Sequence, residues 1–130
     1  MSEREARLHE LGLSLPEVAK PLAAYVPAVR TGNLVFVSGQ LPTVDGKLPL
    51  TGKVGAEVDP EQAKGFAQRA ALNAIAAAAA EAGGIDRIVR VVKLTGFVAS
   101  TPDFTGHPAV INGASRGALR SGRYATRSSV

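Results

Sequence analysis

With 130 residues the chain fits one domain, and a domain of that size buries a useful core. It is 45% hydrophobic and 20% charged, has no run near the roughly 18 apolar residues of a membrane span, and lacks cysteine, which excludes disulfides, thiolate nucleophiles and Cys-based zinc sites. The net charge of +4 gathers in the last 15 residues, where Arg116, Arg120, Arg123 and Arg127 stand without an acid; the first 115 residues hold 11 basic and 11 acidic side chains.

That distribution argues against a broad basic face for nucleic acid. The N-terminus, Met1 to Arg7, is charged and leads into no apolar signal core, so a cytoplasmic location is expected. Leu8 and Leu11, three apart within residues 4–13, predict a short helix that stops at Gly12. Pro16, Pro21 and Pro27 then hold the chain extended. Ala28-Val29-Arg30 and Leu34-Val35-Phe36-Val37 flank Thr31-Gly32-Asn33 and predict a β-hairpin. Its second strand is apolar on both faces, as in a strand covered on both sides. It ends at Ser38-Gly39-Gln40, small and polar, where a chain opens toward a site.

Residues 42–58 are rich in Gly, Pro and Asp and read as loops with one short strand at most. Asp59-Pro60-Glu61-Gln62 is a helix start, with Asp as N-cap, Pro at the first helical position and Gln where a capping box places it. Ala63, Phe66, Ala67, Ala70, Ala74 and Ile75 follow at helical spacing, and Gly83-Gly84 ends the helix. Ile88 to Ala99 alternates as a strand, again apolar on both faces. Val110 to about Leu119 predicts a second helix weakened by Gly113 and Gly117, and Tyr124 to Val130 looks like the beginning of a strand. The sum is an α+β fold, a sheet with helices packed on one face. The second apolar face needs a partner, and self-association supplies one.

Familiar catalytic machinery is sparse. His9 and His107 lack metal-ligand spacing, and the simplest readings are a solvated His9 and a surface or capping His107. Ser38, His107 and Asp103 make a formal Ser-His-Asp set without a nucleophile elbow. Gly52-Lys53-Val54-Gly55 does not fit a phosphate loop, and no aromatics interleave with basic residues on a strand. Ser38-Gly39-Gln40, Tyr25, Asn112 and Arg127 remain. Each also reads as structure alone: a strand end, a hydrophobic plug, a helix polar group and a solvated arginine.

The run Tyr25-Val26-Pro27-Ala28-Val29-Arg30-Thr31-Gly32-Asn33-Leu34-Val35-Phe36-Val37-Ser38-Gly39-Gln40 resembles the N-terminal signature of the RidA/YjgF family, also labelled endoribonuclease L-PSP. Ala71-Leu72-Asn73-Ala74-Ile75, Val91 to Val98, Asp103-Phe104 and Val110-Ile111-Asn112 match as well, so the likeness spans about residues 20–115. Gly52 to Glu57 and Ile111 to Ser115 look like a branch of poorly defined function. The resemblance implies a chorismate-mutase-like fold over residues 1–130, assembled as a homotrimer whose sheets form a central barrel. It also implies hydrolysis of 2-imino or enamino acids to 2-keto acids and ammonia in clefts between subunits, without cofactor or metal. In this likeness Arg127 is the catalytic, carboxylate-binding arginine. Tyr25 is the pocket aromatic, Ser38 and Gly39 are strand-end donors, and Asn112 is the helix asparagine. The alternatives are a non-catalytic trimer that binds a small carboxylate or a partner protein, and, with less support, a ribonuclease. The chain departs from the family pattern in ending before its last strands and their glutamate, and in the basic, Gly-rich stretch Arg116 to Arg123.

Overall fold

The computed structural model describes residues 2–120. In chain order it contains α1 (Glu3–Glu10), β1 (Ala28–Thr31), β2 (Leu34–Val37), α2 (Pro60–Ala82), a single 3-10 turn (Ile85–Arg87) and α3 (His107–Arg120). This is an α+β arrangement of three helices and a two-stranded sheet among the described residues. The expected strand from Tyr124 to Val130 lies outside them.

Helix α2 is the spine. Asp59 accepts from the Gln62 N–H while the Gln62 side chain accepts from the Asp59 N–H, and Pro60 needs no donor in the first turn. At the other end Gly83 adopts φ 89°, the left-handed cap that closes a helix and strains any residue with a Cβ. Between them Ala63, Ala71, Ala76, Ala77 and Ala79 are buried; their small side chains let other elements approach closely. Helix α1 is closed by a reciprocal Ser2–Glu5 cap and buries one side chain, Leu8, against Leu72, Ala79 and Ile85. Burial of a leucine contributes about 2 kcal/mol.

Helix α3 begins three residues before the expected Val110, because Pro108 is tolerated in the first turn and the Gly106 carbonyl accepts from Ala109 and Val110. Gly113 costs helix propensity, as expected, and also permits the packing of this helix. A Cβ there would collide with the backbone carbonyl of Lys64 on α2, so the two helices cross where only hydrogen fits between them.

The hairpin forms as expected, with Ala28 opposite Val37 and Thr31 opposite Leu34. Gly32 at φ 56° supplies the primed turn that matches strand twist. A smaller turn of the same kind, hidden in the loop region, joins Val44 and Lys47 through Asp45 at φ 51° and Gly46 at φ 78°. Strand β2 is not covered on both sides by the described residues: Val35 and Val37 are half-buried, whereas Leu34 and Phe36 are exposed.

Ile88–Ala99 corrects the expectation more sharply. The run is neither helical, turned nor bent, but it joins no ladder until Ser100 bridges Val54. Ile88, Val91 and Val98 pack in turn against the three core clusters along α2 and α3, which accounts for its path. The ladder is missing because the run has no neighbouring strand among the described residues.

Candidate functional site

The end of β2 is fixed by one carbonyl. Pro27 O accepts both the backbone N–H of Ser38 and its hydroxyl, each at 3.0 Å. These two hydrogen bonds tie Pro27, two residues after Tyr25, to the strand end at Ser38. Ser38 N–H is thereby engaged. The exposed Gly39 N–H donates to no group among the described residues and is the free donor of the pair. Tyr25 is exposed, and Gln40 Nε2 donates to the Ser38 carbonyl at 3.3 Å. Asn112 stands half-buried on α3, and no hydrogen bond joins it to this group. Arg127 lies outside the described residues.

Just beyond Gln40 the chain is held by α2. Asn73 is 2% exposed and its Nδ2 donates to the carbonyls of Leu41 and Thr43 at 2.9 and 3.1 Å. Arg69 Nε donates to the same Thr43 carbonyl at 2.9 Å. A buried amide stripped of such partners costs about 1–3 kcal/mol, so the clamp fixes where residues 41–43 leave the strand. The position of Asn73 was visible in the sequence only as one amide among alanines, and its role depends on a loop 30 residues earlier.

His107 does not meet Ser38 in a triad. Its Nε2 lies 2.9 Å from Ser100 Oγ, and its ring packs edge-on against Phe104 at 5.2 Å. Neither contact supplies a carboxylate to orient the imidazole, so the pair closes the entry to α3 rather than forming a relay. His9 is exposed on α1. No group of three or more His, Asp or Glu residues gathers to hold a metal among the described residues. Glu57 is the one carboxyl held below its usual range: it accepts the Lys53 N–H at 2.9 Å and its own backbone N–H, and the Lys53 charge adds to this. It closes the 53–58 loop, whose Val54 and Val58 are buried beside Ala63 and Val110.

Large apolar side chains stand exposed on β2 and on the run 88–99. Leu34 is 48% exposed, Phe36 60%, Val92 65% and Phe97 95%. An isolated leucine or valine on a surface needs no account; four large apolar side chains exposed on two extended segments exceed that. No helix of the described residues is long and apolar enough to cross a membrane.

Comparisons with known proteins agree with this architecture. A family model described as YjgF/chorismate_mutase-like, putative endoribonuclease, matches residues 5–129. Protein TCP17 of Trypanosoma cruzi is 42% identical over 110 residues, which cover 85% of this chain and 69% of that protein. Two solved structures superpose closely. The protein Atu1372 from Agrobacterium tumefaciens, of unknown function, has a TM-score of 0.82 at 45% identity and covers 91% of this chain and 73% of its own. A putative endoribonuclease from Shewanella oneidensis MR-1 has a TM-score of 0.87 at 34% identity and covers 92% and 80%.

Proposed function

The chain belongs to the YjgF/chorismate-mutase-like family, and on that premise we propose that it hydrolyses 2-imino or enamino acids to 2-keto acids and ammonia. The observation that carries this reading is the exposed Gly39 N–H at the end of β2, which donates to no group among the described residues, next to a Ser38 tied to Pro27, two residues after Tyr25. A backbone donor at a strand end suits one oxygen of a carboxylate. The Arg127 guanidinium, with its planar fork of donors, takes the carboxylate bidentately. Tyr25 covers the hydrocarbon part of the substrate, and Asn112 contributes from α3 of a neighbouring subunit. Ser38 acts through position: with its N–H and hydroxyl both given to Pro27, it aims the Gly39 N–H.

The chemistry asks little of the protein. The imine carbon is already electrophilic; water adds to it, the carbon–nitrogen bond breaks, nitrogen leaves as ammonia and the carbonyl remains. Binding the carboxylate and excluding bulk water orient the reacting carbon, which is where effective-molarity gains arise. Neither a metal nor a cofactor takes part.

The exposed Leu34, Phe36, Val92 and Phe97 support a homotrimer, with the strand layers turned inward and the clefts between subunits. A ribonuclease has less in its favour, since His9 is exposed on α1 and His107 is tied to Ser100 and Phe104. The test is ammonia release from an imino acid generated in situ by an amino acid oxidase, measured with and without the purified chain. Acceleration over buffer, lost at least tenfold in Arg127→Ala, is expected. No acceleration by a folded, assembled protein sinks the reading and leaves a trimer that only binds carboxylates.

A further inference from the structure

Aspartate and asparagine carry a latent reaction with their own backbone, in which the amide nitrogen of the next residue attacks the side-chain carbonyl carbon. A glycine in that next place favours it, since no Cβ crowds the nitrogen. The chain holds two such pairs, Asp45-Gly46 and Asn112-Gly113, and residues 121–130 contain neither Asp nor Asn. In an unfolded chain Asn112 reacts first, because ammonia leaves an amide more readily than water leaves a carboxylate. The fold reverses that order. Gly113 is buried within α3, where its N–H belongs to the helix ladder and Lys64 of α2 lies against it. Asp45 and Gly46 instead form an exposed two-residue turn, at φ 51° and 78°. The turn is closed by Val44 N–H to the Lys47 carbonyl at 2.9 Å and by Lys47 N–H to the Val44 carbonyl at 3.0 Å. Both bonds bypass the Gly46 N–H, which donates to no group among the described residues. The other Asp and Asn residues are withheld. Pro60 after Asp59 has no N–H, Asn73 is buried in α2, and Leu34 after Asn33 pairs with Thr31. The N–H groups that follow Asp86 and Asp103 donate to the Gly84 and Thr101 carbonyls.

We propose that Asp45 is a modification site, at which the folded chain isomerises its own backbone to isoaspartate. The Gly46 nitrogen gives up its proton and bonds to Asp45 Cγ. A carboxyl oxygen takes that proton with the carboxyl's own and leaves as water, which closes a five-membered succinimide. Water then adds to the ring. Where it breaks the bond between the Gly46 nitrogen and the Asp45 backbone carbonyl carbon, the chain is left running through Cγ. One water leaves and one enters, so no co-reactant is needed. The isomer carries one more carbon in the backbone of the turn. The register across a two-residue turn depends on its length, so the Val44–Lys47 pair is lost. Thr43 comes just before that pair, and its carbonyl receives Asn73 and Arg69 from α2. The modification therefore loosens the hold of α2 on the loop after the strand end. This inference stands on the turn and does not depend on the hydrolase reading.

Incubation of the full chain in heavy-oxygen water for several weeks at neutral pH, followed by proteolysis and mass spectrometry, tests it. Each passage through the succinimide leaves a heavy oxygen at the residue that reacted. A methyltransferase specific for isoaspartate then separates the isomer from reopened aspartate. In the folded chain, reaction at Asp45 is expected to exceed conversion of Asn112 at least tenfold. In guanidinium chloride the order is expected to reverse. Asp45→Asn, a residue suited to the same turn, is expected to react at least tenfold faster than Asp45 in the folded chain, with Asn112 still intact. In the isomerised fraction the amides of Val44 and Lys47 are expected to exchange at least tenfold faster by NMR. An unlabelled Asp45, conversion of Asn112 ahead of it, or an inert asparagine in the Asp45→Asn chain overturns the proposal, because the turn then withholds its amide as the helix does. The same order in guanidinium chloride also overturns it, since sequence and not the fold then decides. Unchanged protection of Val44 and Lys47 in the isomer overturns the link to the Asn73 clamp.

Discussion

The helix layer and the strand layer of this molecule are built to different standards of self-sufficiency. Helices α2 and α3 cross at Gly113 with backbone nearly touching backbone, and the buried residues lie overwhelmingly on this side. Each of the helix starts described by a side-chain cap is closed reciprocally, and the one buried polar side chain, Asn73, has its donors engaged. The strand layer shows the reverse: a two-stranded hairpin, a third run without a ladder, and Phe36 and Phe97 open to solvent. A lone hairpin is marginal in water. The contrast says that the helix layer holds the described residues together, while the strand layer is left unfinished among them.

The strongest way to break this division is to disturb the helix crossing. Gly113→Ala places a methyl group against the Lys64 carbonyl, a backbone atom that cannot swing aside as a side chain would. Overpacking of this kind costs typically 1–3 kcal/mol. The gain in helix propensity returns about 1 kcal/mol at most. With a backbone collision at the upper end of that range, a net loss of about 2 kcal/mol is therefore expected in denaturant unfolding, with unfolding brought forward for the whole domain. An unchanged midpoint would show that α3 slides on α2 without cost and that the crossing is not the anchor.

Asn73→Ala acts where the layers meet. It leaves the Leu41 and Thr43 carbonyls short of a donor and opens a small space in the core, at a cost of about 1–2 kcal/mol. Arg69 still reaches Thr43, so the 41–43 loop is loosened rather than freed. Faster amide exchange at residues 38–43 should accompany the lower stability. If stability falls while those amides keep their protection, the clamp is a core contact and does not position the strand end.

How far these features were legible in the sequence follows from the range of the forces involved. The hairpin and the two ends of α2 rest on local chemistry: a Gly-Asn turn, an Asp-Pro cap and a Gly-Gly stop, each decided within four residues. The Gly113 crossing is not legible in the sequence, because a glycine inside a helix has the same local cost whether or not another helix lies on it. Alternation at Ile88–Ala99 showed a strand's side-chain pattern but not whether a neighbour pairs with it, since hydrogen-bond partners come from elsewhere in the chain or from another one. At the site, Ser38-Gly39-Gln40 was recognisable as a strand end. Which of its amides stays free was not, because that depends on Pro27, eleven residues away, accepting from Ser38.

The smallest expected change in stability comes from the strand face, and it is the one that separates the two layers most cleanly. Phe36 is 60% exposed and Phe97 95%, so neither contributes much to the core of the single chain. Replacing both with serine removes about 2–3 kcal/mol of potential burial per ring from any assembly that covers them. In the isolated chain, exposed substitutions of this sort stay within roughly 0.5 kcal/mol of neutral. Sedimentation velocity over a hundredfold range of concentration, paired with unfolding at low concentration, measures the two quantities separately. The expected outcome is a shift from assembled to monomeric protein with the monomer's unfolding midpoint preserved. Retained assembly would move the interface away from the strand face, and a large loss of monomer stability would mean that these rings are packed in solution by the chain itself. The second result would merge the two layers into one cooperative core, because a face that matters only to partners can be altered without cost to the fold that presents it.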